Sequence, residues 1–293
     1  MSQSNRSFND IDGQVADELV GEVWPSAEPG ESPVLYGHAV LEPRNPVEVR
    51  SLQTFRLIYT VGRYGLDDTG AIRVVFRAMS DGQALQTTDP AAPNYVTANT
   101  NTGIPLAVEY RSRGISARPR WKSLTVTVTG GYLSEGDTIT IVFGNTSSGS
   151  PGMKVQTMAD GGFEFKVLAD VCAVGHFVPI PDTPTIAIVP GPPVVWKAIL
   201  PTLRRPGEKF RFGLKAEDKW GNPTNRATGH FVFETTLPVK GLPNTFDYPI
   251  GKKAIEFSDL SVSDLGVLRI TVLNQLGTVA AESHPLVIRD GSL

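Results

Sequence analysis

The most restrictive feature of this sequence is the alternation of apolar and polar residues at every second position. It is clear over 55–61, 124–129 and 209–216, whereas the helical repeat is limited to a possible short amphipathic turn over Val15, Leu19 and Val20. Alternation of this kind places successive side chains on opposite faces of a strand, one face buried and the other wet. The chain also holds 29 glycines and 23 prolines in 293 residues, which favours many turns. The sequence therefore predicts an all-β protein.

Nine segments have the composition and spacing of strands. They are 55–61, 72–79, 124–129, 138–143, 163–167, 185–189, 209–216, 231–233 and 268–272. The first two flank a turn-forming stretch, 65–70, so we expect them to pair as a hairpin.

Prolines are densest between Pro179 and Pro193, and we place a domain boundary there. The prediction is a polar, mobile N-terminal arm over 1–30, a first β-sandwich domain over 31–190, and a second over 191–293. The second has the length and strand content of one immunoglobulin-like sandwich. The expected fold is thus two consecutive antiparallel β-sandwiches.

Charge and cysteine content narrow the expected partners and location. The formal net charge is −3 without a basic block, which argues against nucleic acid, and no apolar run is long enough for a membrane span. The single cysteine, Cys172, lies in an apolar run and is expected to be a buried thiol. The N-terminus lacks the apolar stretch of a secretory signal, so a cytoplasmic location is predicted.

Motifs for catalysis are missing from the sequence. His38, His176, His230 and His284 are far apart, and none has a second ligand at metal-binding spacing. The loop 144–152 has two glycines at phosphate-loop spacing, but Ser150-Pro151 stands where Lys-Ser/Thr is required. We therefore predict no catalytic residue, no metal and no cofactor. An enzyme whose site assembles from dispersed acids and histidines is kept as a third hypothesis.

Several segments resemble a known family. Tyr59–Asp68, Asp89–Val96, Gly131–Asp137 and Gly149–Thr157 are similar to the N-terminal half of the bacterial domain-of-unknown-function family numbered 3604. Separately, 215–223, which reads KAEDKWGNP, resembles a turn of bacterial immunoglobulin-like domains of the invasin type.

The first resemblance implies a partner. The second half of those family members resembles the polymerase-and-histidinol-phosphatase-like (PHP-like) metal hydrolases, whose site opens with a Gly-Asp-Leu-His-x-His-Ser type of motif. This sequence has no such motif. The chain is then one piece of a longer enzyme, a separately encoded subunit, or a remnant that kept only the binding half.

Two functional hypotheses follow. The leading one is a non-catalytic accessory module that docks on a PHP-like metal hydrolase and shapes its substrate entrance. The alternative is a stand-alone carbohydrate- or surface-binding β-sandwich protein.

Candidate binding or interface residues come from two loops, from exposed turns and from strand aromatics. The loops are 89–95 and 144–152, because sandwiches carry function on inter-strand loops. Tyr64, Tyr110, Trp121 and Tyr132 are alternatively a stacking platform or core aromatics. The predicted binding residues are Tyr64, Asp89, Asn94, Tyr95, Trp121, Asn145, Ser150 and Trp220.

Overall fold

A computed structural model describes residues 33–82, 84–113 and 120–291. The predicted N-terminal arm, 1–30, lies outside the described residues. Within these ranges the chain is nearly all strand, with one helical turn, α1 (Pro33–Tyr36). This confirms the all-β prediction. The chain divides into two compact units, with the division between Val189 and Pro190.

Fourteen strands lie in the described part of the first unit. They are β1 (His38–Glu42), β2 (Val47–Glu48), β3 (Leu52–Gln53), β4 (Phe55–Thr60), β5 (Ala71–Arg77), β6 (Val96–Thr100), β7 (Leu106–Arg111), β8 (Arg120–Val128), β9 (Thr138–Phe143), β10 (Met153–Lys154), β11 (Asp160–Glu164), β12 (Lys166–Asp170), β13 (Val178–Pro179) and β14 (Thr185–Val189).

Two antiparallel sheets form the sandwich of the first unit. One has the order β1-β4-β9-β6 and the other β13-β12-β5-β8-β7. A smaller sheet, β11-β14-β2, includes a parallel pair between β14 and β2. The inward-facing residues of the two large sheets share one core, as the alternation of the sequence requires.

Five phenylalanines mark the centre of this core. They join the two large sheets, with ring centroids 5.3 to 6.1 Å apart in mostly edge-to-face contacts, and are Phe55, Phe76, Phe143, Phe163 and Phe165. Such contacts add to the free energy of area burial and fix the spacing of the sheets.

The predicted hairpin of the first two strands is wrong. β4 pairs with β1 and β9 in one sheet, whereas β5 pairs with β12 and β8 in the other. The connection crosses between the sheets, and it is held by reciprocal backbone hydrogen bonds between Leu66 and Leu133. A turn-rich stretch with buried Leu66 thus joins the two layers instead of closing a hairpin.

Cys172 is exposed, contrary to the prediction of a buried thiol. The carboxylate of Asp170 accepts hydrogen bonds from the amides of Val174 and Gly175, which turns the chain immediately after β12. Ala173 takes a φ of 55° in this turn. The turn leaves Cys172 outside, although it follows the buried Val171.

Ten strands lie in the second unit. They are β15 (Val195–Ile199), β16 (Leu203–Arg204), β17 (Phe210–Glu217), β18 (Gly229–Thr235), β19 (Thr245–Tyr248), β20 (Ala254–Leu260), β21 (Gly266–Leu268), β22 (Ile270–Asn274), β23 (Val279–Glu282) and β24 (Leu286–Ile288).

The second unit is an immunoglobulin-like sandwich. A three-stranded sheet, β15-β17-β20, faces a four-stranded sheet, β19-β18-β22-β23, and a small sheet, β16-β24-β21, adds a parallel pair. Contacts between Phe212 and Phe233, at 5.7 Å, and between Trp196 and Phe231, at 4.6 Å, join the two larger sheets.

Asp218 organises the turn after β17. Its buried carboxylate accepts hydrogen bonds from the backbone amides of Gly191, Trp220 and Asn222 at 2.8 to 2.9 Å, and from the Asn222 side chain. Thr224 Oγ1 in turn donates to the carbonyl of Gly191 at 2.9 Å. One side chain therefore fixes the first residues of the unit and its 218–224 turn together.

Asp218→Ala should strongly destabilise the second unit. The substitution leaves three backbone amides without their acceptor, and we expect a loss of about 3 kcal/mol in the free energy of unfolding. Calorimetry and urea titration measure it. Asp264→Ala, at an exposed position of the same unit, is the control and should change stability by less than about 0.5 kcal/mol. Equal effects of the two substitutions would contradict the assigned role.

The contribution of Asp218 should also depend on pH. Burial alone raises its pKa, but hydrogen bonds from Asn222, Gly191 and Trp220 outweigh burial and lower the pKa below the ordinary value. A carboxyl whose pKa is lower in the folded state stabilises fully above its unfolded pKa, about 3.9, and stops doing so as the pH falls through the folded value. The stability difference between the wild type and Asp218→Ala should therefore be constant near neutrality and shrink at more acidic pH. A difference that stays constant down to about pH 2 would rule this out.

Candidate functional site

Five of the predicted binding residues come together in the first unit. The loop that contains Asp89, Asn94 and Tyr95 lies beside the loop that contains Asn145 and Ser150. The amide of Asn145 donates to the carbonyl of Tyr95 at 2.9 Å, and the amide of Asn94 donates to the carbonyl of Gly152 at 3.0 Å. The two loops selected separately from the sequence thus form one loop pair, 89–95 with 144–152.

The polar groups of the loop pair are mostly engaged within it. Asn94 is buried with φ 65°, and its Oδ1 accepts from the Lys154 amide at 2.8 Å. Buried Ser150 accepts through Oγ from the Gly152 amide, and Asn145 donates through Nδ2 to Thr97 Oγ1 at 2.8 Å. These side chains therefore shape and stiffen the loops.

The other three predicted residues lie apart from the loop pair. Tyr64 is exposed and packs edge-to-face on Tyr36, with 5.3 Å between ring centroids. Trp121 is on β8 with 37% of its surface exposed. Trp220 is in the 218–224 turn of the second unit, where its amide donates to Asp218.

The aromatic residues considered as a stacking platform also differ in their burial. Tyr110, on β7, is half-buried and packs against the core of the first unit, whereas Tyr132 is exposed in a turn before β9. The interpretation as core aromatics therefore holds for Tyr110.

An open groove lies at the surface of the second unit. It has a volume of about 1000 Å³. Five segments line it, namely 194–196, 228–231, 247–248, 274–276 and 279–280, together with Ile250. We call this feature the β15–β23 groove, because those two edge strands flank it.

Trp196 connects this groove with the core. It is partly buried, and its ring lies 4.6 Å from Phe231 and 4.9 Å from Tyr248, both of which also line the groove. These aromatic contacts fix the position of the Trp196 ring. The apolar floor of the groove is therefore continuous with the hydrophobic core.

Polar groups on neighbouring strands face the groove. His230 Nδ1 and Asp247 Oδ1 are 2.7 Å apart, and most of the Asp247 side chain is exposed. Asn274 Oδ1 accepts from the amides of Leu276 and Thr278, which shapes the turn between β22 and β23. Gln275 is exposed in the same turn.

Four of the residues that line the groove are exposed aliphatic side chains. Leu276 and Ile250 are 88% and 85% exposed, and Val194 and Val279 also have more than half of their surface exposed. Several exposed aliphatic side chains around one groove are typical of an interaction site.

Sequence reasoning missed this groove. Trp196 and Asp247 carry no motif, and His230 was interpreted as an isolated histidine. The one available signal was Leu276, a large apolar residue inside the polar turn 274–278.

In the described ranges, no group of three or more His, Cys, Asp or Glu residues is arranged to hold a metal ion. Across the same ranges, no helix combines the length and apolarity needed to cross a bilayer.

Comparisons with known proteins give structural neighbours only. No family model matches the chain, so the resemblance to family 3604 has no support, and no curated protein matches. The chain is similar to the Escherichia coli adhesin FdeC at 15% identity, over 88% of this chain and 65% of that one, with a TM-score of 0.33.

Two further neighbours are adhesins as well. Yersinia pseudotuberculosis InvE is 11% identical over 86% of this chain and 58% of its own, with a TM-score of 0.27. The S. aureus collagen adhesin is 9% identical over 89% and 97%, with a TM-score of 0.26. The chain spans less than two thirds of the length of FdeC and of InvE.

Tyr248→Phe should leave the second unit equally stable or more stable. The Tyr248 hydroxyl is buried and has no hydrogen-bond partner in the part of the chain that is described, and burial raises its pKa. Removal of an unsatisfied buried hydroxyl is expected to change the free energy of unfolding by about 0 to +1 kcal/mol. Thermal unfolding measures the change.

Tyr59→Phe is the matched variant in the first unit. The hydroxyl of buried Tyr59 donates to the carbonyl of Tyr36, so its loss should destabilise by about 1 kcal/mol. If Tyr248→Phe destabilises as much as Tyr59→Phe, the Tyr248 hydroxyl has a partner in solution.

Proposed function

We propose that this chain is a β-sandwich binding protein that attaches to a ligand-bearing surface through the β15–β23 groove. The observation that carries the proposal is the apolar rim of Leu276, Ile250, Val194 and Val279 around a groove of about 1000 Å³. Exposed aliphatic side chains are costly in water unless a partner covers them.

The way the groove is built favours binding. Its floor belongs to the packed core through Trp196, Phe231 and Tyr248, so the ligand meets a surface that is already formed. A preformed site loses little conformational entropy on association. The immunoglobulin-like sandwich thus serves as a rigid support for the rim.

The loop pair of the first unit is a weaker candidate for the same role. The side chains of Asn94, Asn145 and Ser150 are engaged in hydrogen bonds within the loops or with the adjoining strands β6 and β10. The exposed residues between them, such as Ser147 and Ser148, are small and polar. The loop pair therefore offers little area for strong attachment.

Docking on a PHP-like metal hydrolase stays a prediction from the sequence. Neither the groove nor the loop pair has a feature specific to such a partner. The cytoplasmic location likewise stays a prediction.

The proposal is tested by retention of the full chain on surfaces coated separately with mannan, dextran, heparin and collagen. We expect at least one surface to retain the chain. Leu276→Asp should reduce that retention at least about tenfold, because a charge on the rim must be desolvated on binding.

Leu265→Asp is the matched control, since Leu265 is exposed in the same unit but lies outside the groove. Retention of this variant should stay within about twofold of the wild type. Absence of retention on all four surfaces, or equal losses for the two variants, overturns the proposal.

A further inference from the structure

The geometry points to a neutral saccharide as the ligand of the β15–β23 groove. This assignment rests on the proposed function, which places the ligand in the same groove, and it adds the ligand's chemical class. Three properties of the lining residues carry it: their charge, their unused hydrogen-bonding groups and their apolar surface.

The charge of the groove excludes an anionic ligand. No lysine or arginine is among the residues that line it, and its one charged carboxylate, Asp247, is exposed. An anionic polysaccharide or a phosphate group would meet a like charge without a cation to compensate it. A ligand without formal charge avoids this repulsion.

Several uncharged hydrogen-bonding groups remain available in the groove. Within the described residues, Asn274 Nδ2, Trp196 Nε1 and His230 Nε2 make no hydrogen bond, whereas Asn274 Oδ1 and His230 Nδ1 are engaged. The first two are donors, and Nε2 of the uncharged His230 ring is an acceptor, because Nδ1 donates to the Asp247 carboxylate. Gln275 adds an exposed amide, and Asp247 adds a carboxylate that accepts. Sugar hydroxyls donate and accept at once, so they match this mixture of amide, ring and carboxylate groups.

The apolar surface of the groove fits the C–H faces of a sugar ring. Trp196 offers an aromatic ring, and Ile250, Leu276 and Val279 offer aliphatic area against which the C–H faces of a pyranose pack. A purely apolar ligand would bury the polar side chains of Asn274, His230 and Gln275 without hydrogen-bond partners, at a cost in free energy. The combination of apolar and polar groups therefore favours a saccharide over a lipid chain.

The size and openness of the groove indicate an oligosaccharide. A volume of about 1000 Å³ is at the upper end of the range typical of ligand sites, about 300 to 1,000 Å³. The groove is also open to solvent, so a longer polymer can extend beyond it.

The test is calorimetric titration of the full chain with mannohexaose, isomaltohexaose and a heparin hexasaccharide. We expect at least one neutral hexasaccharide to bind and the heparin fragment not to bind. Gln275→Ala should weaken the affinity about fivefold, and Asp247→Ala at least about tenfold, because hydrogen bonds to a charged group are stronger.

Asp264→Ala is the control for the loss of an exposed carboxylate in the same unit, and it should leave the affinity unchanged. Gln275 and Asp247 are exposed, so their variants are expected to fold, and thermal unfolding verifies this.

The outcomes separate this inference from the proposed function. Binding of the heparin hexasaccharide alone, or retention on collagen alone that Leu276→Asp abolishes, overturns the saccharide assignment while the proposed function stands. Neutral binding that Gln275→Ala and Asp247→Ala leave unchanged also overturns the assignment. Absence of retention on every coated surface overturns the proposed function itself.

Discussion

The contact between inward-facing side chains of two sheets is the interaction on which the rest of each unit depends. In the first unit Phe76 packs on Phe143 across the sandwich, and in the second Phe212 packs on Phe233. Because these contacts fix the spacing of the sheets, the turns at the strand ends acquire defined positions. Trp196 belongs both to the aromatic contacts of the second unit's core and to the lining of the β15–β23 groove. The candidate site is therefore an extension of the core to the surface.

Local sequence patterns predict strands well and strand partners poorly. The alternation over 138–143 and 185–189 coincides with β9 and β14, and Phe210–Glu217 differs from its prediction by one residue at each end. Alternation reports which face of a strand is buried, but it contains no information about the neighbouring strand. For this reason β4 and β5 were expected to form a hairpin, although each pairs with strands distant in sequence.

The candidate site is hard to predict from sequence patterns for the same reason, since these patterns do not show which segments lie side by side. The proximity of loops 89–95 and 144–152 depends on the pairing of β6 with β9, and the β15–β23 groove is assembled from five separate segments. Residue type alone also does not distinguish a polar group that holds a loop from one that meets a ligand. Asn94 and Asn274 are both asparagines beside a turn, but the first is buried and the second retains a donor at the groove. Cys172 is exposed, contrary to its prediction, because the apolar run that contains it forms the turn after Asp170.

The position of β14 at the end of the first unit has a consequence for synthesis. β14 pairs with β11 and, in parallel, with β2, where Ile188 is opposite Val47. The ribosome releases Val47 long before Ile188, so β2 remains unpaired with β14 while most of the unit is synthesised. Pairings so distant in sequence close slowly. The nascent first unit thus exposes the strand edges of β2 and β11 until its last strand emerges, and unpaired edges of this kind favour aggregation during synthesis.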